Sequence, residues 1–451
     1  MMRKKIVFSA ALLAATCALN AQTTADNGYT AIPSPQNDQA IMFVLSPNGR
    51  YVGGYTYVDH QFYIYDAQQK TAKTFGDASA DNLVDLRSIS NDGKAVGMLS
   101  TGEVTDGVVC NFADGTSKTV KSTITKGLTP DGNFITGAKL DGSGTYWNAV
   151  YFDGDDIVSL PEPTTKWAGW PSTDPDDPNV IFGSSADFVS ADTSVIAGYV
   201  IDPASTYPAV VWRKNRDGKT FSVDFISRHY FCSNPDSIKG EGNSYALFTP
   251  TALSENGKWL ALTIAKYTDD GWGAVYGLGR YNLETDELEE YWYDESVGEC
   301  TSAGIANDGT MTGWTGRMDQ EVSAIWKAGA AAPQTLSEAF PGVPEFAEFD
   351  TVLGHKPCAI SADGRYIVGY GYTIPDDGET GATEGYVSYI FDTTAKGATS
   401  GVAAAPAVDK KSAGKRAAAR YDLSGRRLPG AARGINILKQ QGEKPVKLLV
   451  K

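Results

Sequence analysis

Short runs of alternating apolar and polar residues recur along the chain, and each run follows a polar turn. Residues 360–370 read ISADGRYIVGY, and similar stretches begin at Leu45, Ile89, Leu128, Val189, Leu253 and Ile305. Alternation with a period of two after an Asn-Gly or Asp-Gly pair predicts a β-hairpin with a type I′ turn, in which both central residues have positive φ. Asp192-Thr193 departs from this pattern, and we expect that hairpin to turn less readily.

A glycine recurs inside the second strand of six of these hairpins, at Gly54, Gly97, Gly137, Gly198, Gly313 and Gly369. Leu262 takes this place in the fifth hairpin. Because glycine weakens a strand interior, its recurrence predicts that another backbone segment approaches closely at this position.

A second recurrent stretch follows each hairpin and ends near an aromatic residue; its copies begin at Phe62, Val108, Ala149, Ala209, Leu278, Ser323 and Ser388. Each copy reads as a third strand, and a turn such as Asp217-Gly218 with a short fourth strand often follows. Seven such units predict an all-β fold, a seven-bladed β-propeller of four-stranded antiparallel blades. Helical periodicity is nearly absent, which excludes a parallel α/β layout. A β-sandwich is the alternative, although nothing in a sandwich requires seven similar hairpins.

The alternation of AVVW or SAIW with ISADGRYIVGY, over residues 41–395, resembles the extracellular HAF-type (AFxW) repeats. More loosely, it is similar to the TolB-like β-propeller blade with its Ser-Pro-Asp-Gly turn. The resemblance implies a secreted or envelope propeller, in families that share no single activity.

Closure of the ring poses a separate question, because a propeller must join its first and last blades or leave an edge exposed. The seventh unit ends with the stretch SYIFD at 388–392 and has no fourth strand after it. Residues 28–35 precede the first hairpin, and we expect them to supply the missing strand.

Both ends of the chain carry signals that differ from the repeats. Residues 1–21 combine a basic start, an apolar run and a small-residue exit, which predicts a secretory signal peptide. No later run reaches the ~18 apolar residues of a membrane-spanning helix, so no transmembrane segment is predicted. The predicted domains are the signal peptide, the propeller at 22–395, a flexible linker at 396–420 and a tail at 421–451.

The tail reads YDLSGRRL at 421–428, GINI at 434–437 and VKLLVK at 446–451. These motifs resemble the C-terminal sorting domain of type IX secretion cargo, which implies export to, or retention at, the cell surface. The tail is short for that pattern, because a linker rich in Ala, Lys and Gly stands where further strands usually precede Tyr-Asp-Leu. A shortened periplasmic or surface tail is therefore the alternative.

Charge is divided unevenly along the chain. The net charge is −15 overall, with +3 on residues 1–21 and +10 on 396–451, which leaves −28 on 22–395. Such a body repels nucleic acid, because phosphate binding needs positive contacts. The disc, its long loops on one face and the sorting-like tail predict an envelope protein or glycan as the partner, and the sequence leaves the oligomeric state open. The four cysteines that follow the predicted signal peptide, Cys110, Cys232, Cys300 and Cys358, could form two disulfides or remain as buried thiols.

The long connections predict where a site lies. The insertions 161–187, 228–251, 337–357 and 373–385 all fall between strands that share one face of the disc, and function usually sits on elaborated loops. The segment 165–179 is the leading candidate. Its candidate ligand-binding residues are Trp167, Trp170, Asp174, Asp176 and Asp177.

The two tryptophans of this segment could stack on a sugar ring, and the three aspartates could bind Ca²⁺. The aspartates do not match an EF-hand, since the template positions for Gly and Glu hold Asn179 and Ser185. A tryptophan plug over the blade edge is the structural alternative. Apart from this Ca²⁺ option, no metal and no cofactor is predicted.

No catalytic residues are predicted, because the three histidines, His60, His229 and His355, lack a zinc-binding spacing. The sequence favours an exported, non-catalytic propeller that recognises a protein or glycan at the cell envelope through its long-loop face. A carbohydrate-active enzyme that uses carboxylates on that face, such as Glu241, Glu345 or Glu348, is the alternative. A structural part of a surface assembly is a third option.

Overall fold

The computed structural model describes residues 27–102, 104–142, 144, 147–162, 183–201, 209–226, 247–267, 274–316, 321–351, 353–373 and 385–398, together with four strands after residue 418. The chain divides into two compact units, 1–400 and 401–451. The first unit contains the repeats, and the second contains the tail.

Seven antiparallel sheets in the first unit form the blades of a β-propeller, which confirms the predicted fold. The strands of blades 1 to 3 are Ala40–Leu45, Tyr51–Thr56, Phe62–Asp66 and Thr71–Phe75; Leu83–Ile89, Lys94–Ser100, Thr105–Asn111 and Thr116–Val120; and Thr123–Leu128, Ile135–Leu140, Trp147–Asp153 and Asp156–Ser159. Those of blades 4 and 5 are Gly183–Val189, Val195–Ile201, Ala209–Lys214 and Phe221–Phe225; and Leu247–Leu253, Trp259–Tyr267, Ala274–Asn282 and Glu287–Trp292. Blades 6 and 7 contain Cys300–Ile305, Met311–Thr315 and Val322–Trp326; and Leu353–Ile360, Tyr366–Thr373 and Gly385–Asp392.

The connection from blade 6 to blade 7 replaces a fourth strand with helices. A single bridge pairs Ile325 with Gln334, and two helices follow, α1 (Leu336–Ala339) and α2 (Pro344–Thr351). Thr335 and Glu338 cap α1 in a capping box, which satisfies the free N–H groups of its first turn. The buried side chains of both helices pack against blade 7.

The strand Tyr29–Ala31 closes the ring, as the sequence predicted. It pairs antiparallel with the last strand of blade 7, and Thr30 stands opposite Ile390. The backbone N–H of Ile32 donates to the Ser388 carbonyl at 2.8 Å, which extends the pairing beyond the strand. Blade 7 therefore obtains its fourth strand from the N-terminal side of blade 1.

The predicted type I′ turns are wrong, although the hairpins themselves are present. Only one residue of each turn has positive φ, for example Gly49 at 75°, and the preceding Asn48 does not. In six of the seven hairpins the side chain of a serine or threonine before the turn stabilises this geometry, as Ser46 Oγ donates to Asn48 Oδ1 at 2.8 Å and accepts from the Tyr51 N–H at 2.8 Å. In blade 6, Ala306 stands at this position and backbone hydrogen bonds form the same turn. Thr193 adopts the positive φ in blade 4, at 60°, so that hairpin closes without a glycine.

The recurrent glycine of the second strand lies where its backbone meets a bulge in the first strand. At Gly137, an added Cβ would lie 1.9 Å from the carbonyl oxygen of Ile124, and the register shifts between Thr125 and Leu128. The other five glycines face a carbonyl oxygen in the same way. This confirms the close backbone approach that the sequence predicted.

Hydrogen bonds between neighbouring turns join the blades around the ring. Ala362 N–H donates to the Pro47 carbonyl at 3.0 Å between blades 7 and 1, and Asn91 N–H donates to the Pro130 carbonyl at 2.8 Å between blades 2 and 3. Among the described residues, such a bond joins every adjacent pair of blades except 3 and 4. An ion pair between Lys126 and Asp187 joins those two blades instead.

The second unit contains a four-stranded antiparallel sheet. Its strands are Ala419–Tyr421, Arg427–Leu428, Gly434–Lys439 and Val446–Val450, and the second and third of these flank and pair with the first. The predicted signal peptide and most of the predicted linker lie outside the described residues, so those boundaries remain predictions. In the described part of the chain, no helix is long and apolar enough to span a membrane.

Candidate ligand-binding cavity

A cavity of about 610 Å³ lies where the first strands of all seven blades meet. Its wall reaches from residues early in those strands, such as Ile41, to the turn residues Pro47, Glu255 and Ala362. The cavity therefore extends along the ring axis to the face that carries the tight turns.

Four aromatic side chains from the second strands line the cavity, and we call Tyr55, Tyr199, Trp314 and Tyr370 the aromatic collar. They pair with residues early in the first strands, as Tyr55 does with Ile41, so the collar lies away from the turns. The ring centroids of Tyr55 and Phe43 are 5.9 Å apart. The collar gives this part of the cavity a largely apolar wall that carries phenolic hydroxyls.

A buried ion pair faces the cavity between blades 3 and 4. Lys126 Nζ donates to Asp187 Oδ2 at 2.8 Å and to Asp187 Oδ1 at 2.9 Å, and it lies 3.3 Å from the Tyr199 hydroxyl. The two side chains are only 7% and 11% exposed. Burial acts to lower the pKa of Lys126, but attraction to Asp187 outweighs it and the pKa is raised. Lys126 is therefore charged at neutral pH.

A second ion pair lies within the first strand of blade 2. Asp85 and Arg87 are two residues apart, so both side chains project from the same face of the strand, and they contact each other. Burial raises the pKa of Asp85, although Arg87 and Lys126 oppose the shift. The neighbouring Asp187 adds to it. Three strands thus bring four charged groups to one side of the cavity.

Two polar atoms in the wall of blade 5 are buried and have no hydrogen-bond partner among the described residues. They are Thr249 Oγ1 and Glu255 Oε2. Burial raises the pKa of Glu255 to about 8, so the carboxyl group is mostly protonated at neutral pH. Unsatisfied buried polar groups are costly, and both residues line the cavity, so rotation of either side chain would bring its unpartnered atom to a ligand there.

Three tyrosines, Tyr57, Tyr372 and Tyr386, form a cluster on the face of the disc opposite the tight turns, where the long connections begin. The ring centroids of Tyr57 and Tyr386 are 5.4 Å apart, and those of Tyr372 and Tyr386 are 5.1 Å apart. Tyr57 is 48% exposed. Burial raises the pKa of Tyr55, and Tyr386, Tyr57 and Asp85 add to this effect. The ring centroids of Tyr370 in the collar and Tyr386 in the cluster are 5.8 Å apart, so Tyr370 connects the cluster with the cavity.

No protein-family model and no curated protein sequence matches this chain. Among solved structures, it is similar to TolB from Acinetobacter baumannii, with 12% identity over 67% of this chain and 64% of that one, and a TM-score of 0.40. It is also similar to the β-propeller domain of the Trilobed protease from Pyrococcus furiosus, with 13% identity, 79% and 96% coverage, and a TM-score of 0.47. Prolyl oligopeptidase B from Galerina marginata gives 12% identity, 80% and 49% coverage, and 0.45. The chain thus spans less than two thirds of the length of that TolB.

Some of the candidate residues named from the sequence lie outside the described residues, and others lie in blade 2, 6 or 7. Trp167, Trp170, Asp174, Asp176 and Asp177 lie outside the described residues, so their ligand-binding role remains a prediction. Within the described residues, no group of three or more His, Cys, Asp or Glu side chains could hold a metal ion. Cys110, Cys300 and Cys358 are free thiols, and Cys358 lines the cavity.

His355 is fully buried in a hydrogen-bonded network. Its Nδ1 lies 2.8 Å from Asp350 Oδ1, and its Nε2 lies 2.8 Å from the Tyr389 hydroxyl. Ser337 Oγ donates to the second oxygen of Asp350 at 2.6 Å. The network anchors α2 to blade 7. Glu345 and Glu348 lie on α2 and do not line the cavity.

The cavity was not predicted from the sequence, although a signal was present. Charged residues interrupt the first strands of three blades shortly before their turns, in VDLRSI, TITKGL and GSSADFV. Charged residues on a strand are ordinarily taken for its solvated face. In a closed ring, the same alternation also places side chains in the central channel.

Proposed function

We propose that this protein is an exported, non-catalytic β-propeller that recognises a glycan or a protein at the cell envelope. The observation that supports recognition is the cavity, in which an aromatic collar faces buried polar groups. Apolar walls with a few convergent polar groups are typical of ligand sites, and a volume near 610 Å³ falls in their range. The tyrosine cluster offers a second contact surface on the long-loop face, where Trp167 and Trp170 are also predicted.

Export to the envelope is supported by sequence features alone. These features are the signal-peptide pattern at 1–21 and the sorting-like motifs after Tyr421. A fusion to a reporter enzyme that is active only outside the cytoplasm tests the first feature. Cell fractionation with and without residues 421–451 tests the second. A reporter that stays inactive with the native N-terminus would exclude export by this segment.

Recognition is tested by screening purified propeller against envelope glycans and surface proteins, by thermal shift and by pulldown. We expect a partner whose binding weakens at least about fivefold when Tyr57 and Tyr386 are both replaced by serine. Tyr151→Ala is the matched control, because Tyr151 stacks on Phe134 at 5.3 Å and does not line the cavity. A screen without any binder would contradict the proposal.

A carbohydrate-active enzyme remains the second candidate, and one observation favours it. Burial raises the pKa of Asp85, and the carboxylate of Asp187 lies close enough to add to the effect. Two carboxyl groups on one cavity wall, of which one has a raised pKa, are the elements of glycoside hydrolysis. Release of reducing sugar from a glycan that binds, abolished in Asp85→Asn, would establish this activity.

A further inference from the structure

We infer that the cavity binds an uncharged saccharide, as one end of a chain that continues over the tyrosine cluster. This inference rests on the proposed recognition function and specifies the chemical class of its ligand. It is carried by the combination of three features in the cavity wall, which are internally paired charges, aromatic rings and unpartnered polar atoms.

The charges of the cavity are paired with one another. Asp85 contacts Arg87, and Lys126 binds both oxygens of Asp187. Beside the collar, Lys356 lies over the Trp314 ring and pairs with Glu321 at 2.7 Å. A charged ligand that separated Lys126 from Asp187 would leave a buried charge without its partner, which is costly. A neutral ligand can accept from the cations and donate to the carboxylates without separating them.

The aromatic collar favours a ligand with apolar faces. Aromatic rings in a binding site contribute a large apolar contact area, and the hydroxyls of Tyr55, Tyr199 and Tyr370 can still form hydrogen bonds. A pyranose ring has this character, since its C–H groups form an apolar face and its hydroxyls project around the edge. The collar therefore suits sugar rings better than a uniformly polar ligand.

The unpartnered atoms on blade 5 select for hydroxyl groups. Thr249 Oγ1 can donate and accept, and Glu255 Oε2 can donate when protonated and accept when ionised. A sugar hydroxyl also donates and accepts, and it rotates to suit either partner. Peptide N–H and C=O groups have one role each and fixed directions. Two buried, ambivalent atoms are thus matched more readily by a polyol than by an extended peptide.

The test uses the purified protein with Cys232→Ser, in which Cys358 lines the cavity and Cys110 and Cys300 are buried internal controls. The probes are uncharged gluco-, xylo- and manno-oligosaccharides of six units, with oligogalacturonate, a chitosan hexamer and a ten-residue neutral peptide for comparison. Calorimetry measures affinity, and mass spectrometry follows modification of each thiol by a small methanethiosulfonate reagent at pH 9. Burial raises the pKa of Cys358 to about 12, so modification is slow enough to follow.

We expect at least one uncharged oligosaccharide to bind and to slow modification of Cys358 at least fivefold, with no change at Cys110 and Cys300. Thr249→Val and Tyr55→Ala should each weaken this binding by about tenfold, the effect of one lost hydrogen bond or ring contact. Tyr151→Ala should bind like the parent protein. Thr249→Val keeps the side-chain volume, so it remains informative if Tyr55→Ala unfolds.

Three results would overturn the inference. In the first, a charged oligosaccharide binds more tightly than every uncharged one. In the second, the peptide is the only probe that protects Cys358. In the third, no uncharged oligosaccharide binds. The first two leave the proposed recognition function in place, because a ligand still occupies the cavity. Failure of every probe together with failure of the envelope screen would contradict that function as well.

Discussion

At the scale of single residues, the cavity wall contains two opposite charges that are both almost completely buried. Replacing Lys126 with methionine leaves Asp187 without its partner, and we expect a loss of about 3–5 kcal/mol in the free energy of unfolding. The double variant Lys126→Met, Asp187→Leu should recover most of this loss, because no unpaired charge remains. Urea denaturation of the three proteins measures both effects. A single variant as stable as the parent would show that water or another group compensates Asp187.

Glu255 predicts a specific dependence of stability on pH. Its pKa is raised from 4.5 to about 8 in the folded protein, so the folded state binds more protons than the unfolded state between these values. The contribution of Glu255 to the free energy of unfolding is fully present below pH 4.5. It is lost as the pH rises from 4.5 through 8, by at most about 1.4 kcal/mol per pH unit. Glu255→Gln should match the parent below pH 4.5, become progressively more stable up to pH 8, and keep a constant advantage above it.

Thermal unfolding of both proteins from pH 4 to pH 9.5 tests this prediction. Glu284→Gln is a suitable control, because Glu284 is exposed and its ion pair with Lys258 lies at the surface, where solvent screens it. An advantage of Glu255→Gln that is the same at every pH would contradict the assigned ionisation. It would instead indicate a difference in packing between the two side chains.

The candidate site was the least predictable feature at this scale. The sequence shows Asp85, Lys126 and Asp187 as charges in separate strands, more than 35 residues apart along the chain. Only closure of the ring brings these side chains together, and no local sequence pattern predicts how close they lie in the folded protein. The role of Trp167 and Trp170 remains a prediction for the same reason, since loop composition does not determine loop position.

At the scale of elements, the bulge opposite each recurrent glycine limits what the second strand can hold. Gly137→Ala would place Cβ 1.9 Å from the Ile124 carbonyl oxygen, so the backbone must shift. We expect a loss of about 1–3 kcal/mol in unfolding free energy. Gly142→Ala is the matched control, because nothing lies within 4 Å of its Cβ position. Equal stability of the two variants in denaturant would show that the bulge can relax.

The hairpins were predictable from the sequence, but their turn type was not. Asn-Gly and Asp-Gly pairs are the usual signature of type I′ turns, but here only the glycine adopts positive φ, and in six of the seven hairpins a preceding serine or threonine stabilises that geometry. Ser46 and its equivalents bind both the turn carboxyl or amide and the next strand, and all six are buried. A serine or threonine two residues before the Asp or Asn is the signal that distinguishes this turn.

At the scale of the whole molecule, the strand Tyr29–Ala31 closes the ring. Its pairing partners lie more than 350 residues later in the chain. Thr30→Pro removes an N–H from the closing strand, and we expect it to cost about 1–3 kcal/mol and to loosen blade 7. Thr30→Val keeps the N–H and the strand propensity, so it should behave like the parent. Limited proteolysis followed by mass spectrometry should show earlier cleavage near blade 7 in the proline variant alone. Identical cleavage of all three proteins would contradict a closing role.

The architecture was predicted more completely than any detail within it. Seven repeated hairpins determined the number of blades, and the absence of a strand after residue 392 pointed to residues 28–35 as the closing segment. Repetition makes such inferences reliable, because each copy is independent evidence for the same unit. Blade 6 differs because α1 and α2 replace its outer strand, and their short helical segments were hidden inside a long connection.

The closing strand also sets an order of events during synthesis. Tyr29 is made before every blade, yet its partner Phe391 is made after all of them, more than 350 residues later. Each of the first six blades can form from neighbouring segments, whereas the seventh must wait for an early segment that has remained unpaired throughout. A chain interrupted anywhere before residue 392 therefore retains a free strand at one end and an open sheet edge at the other. A protease that cleaves unpaired backbone would therefore degrade such a fragment faster than the closed propeller.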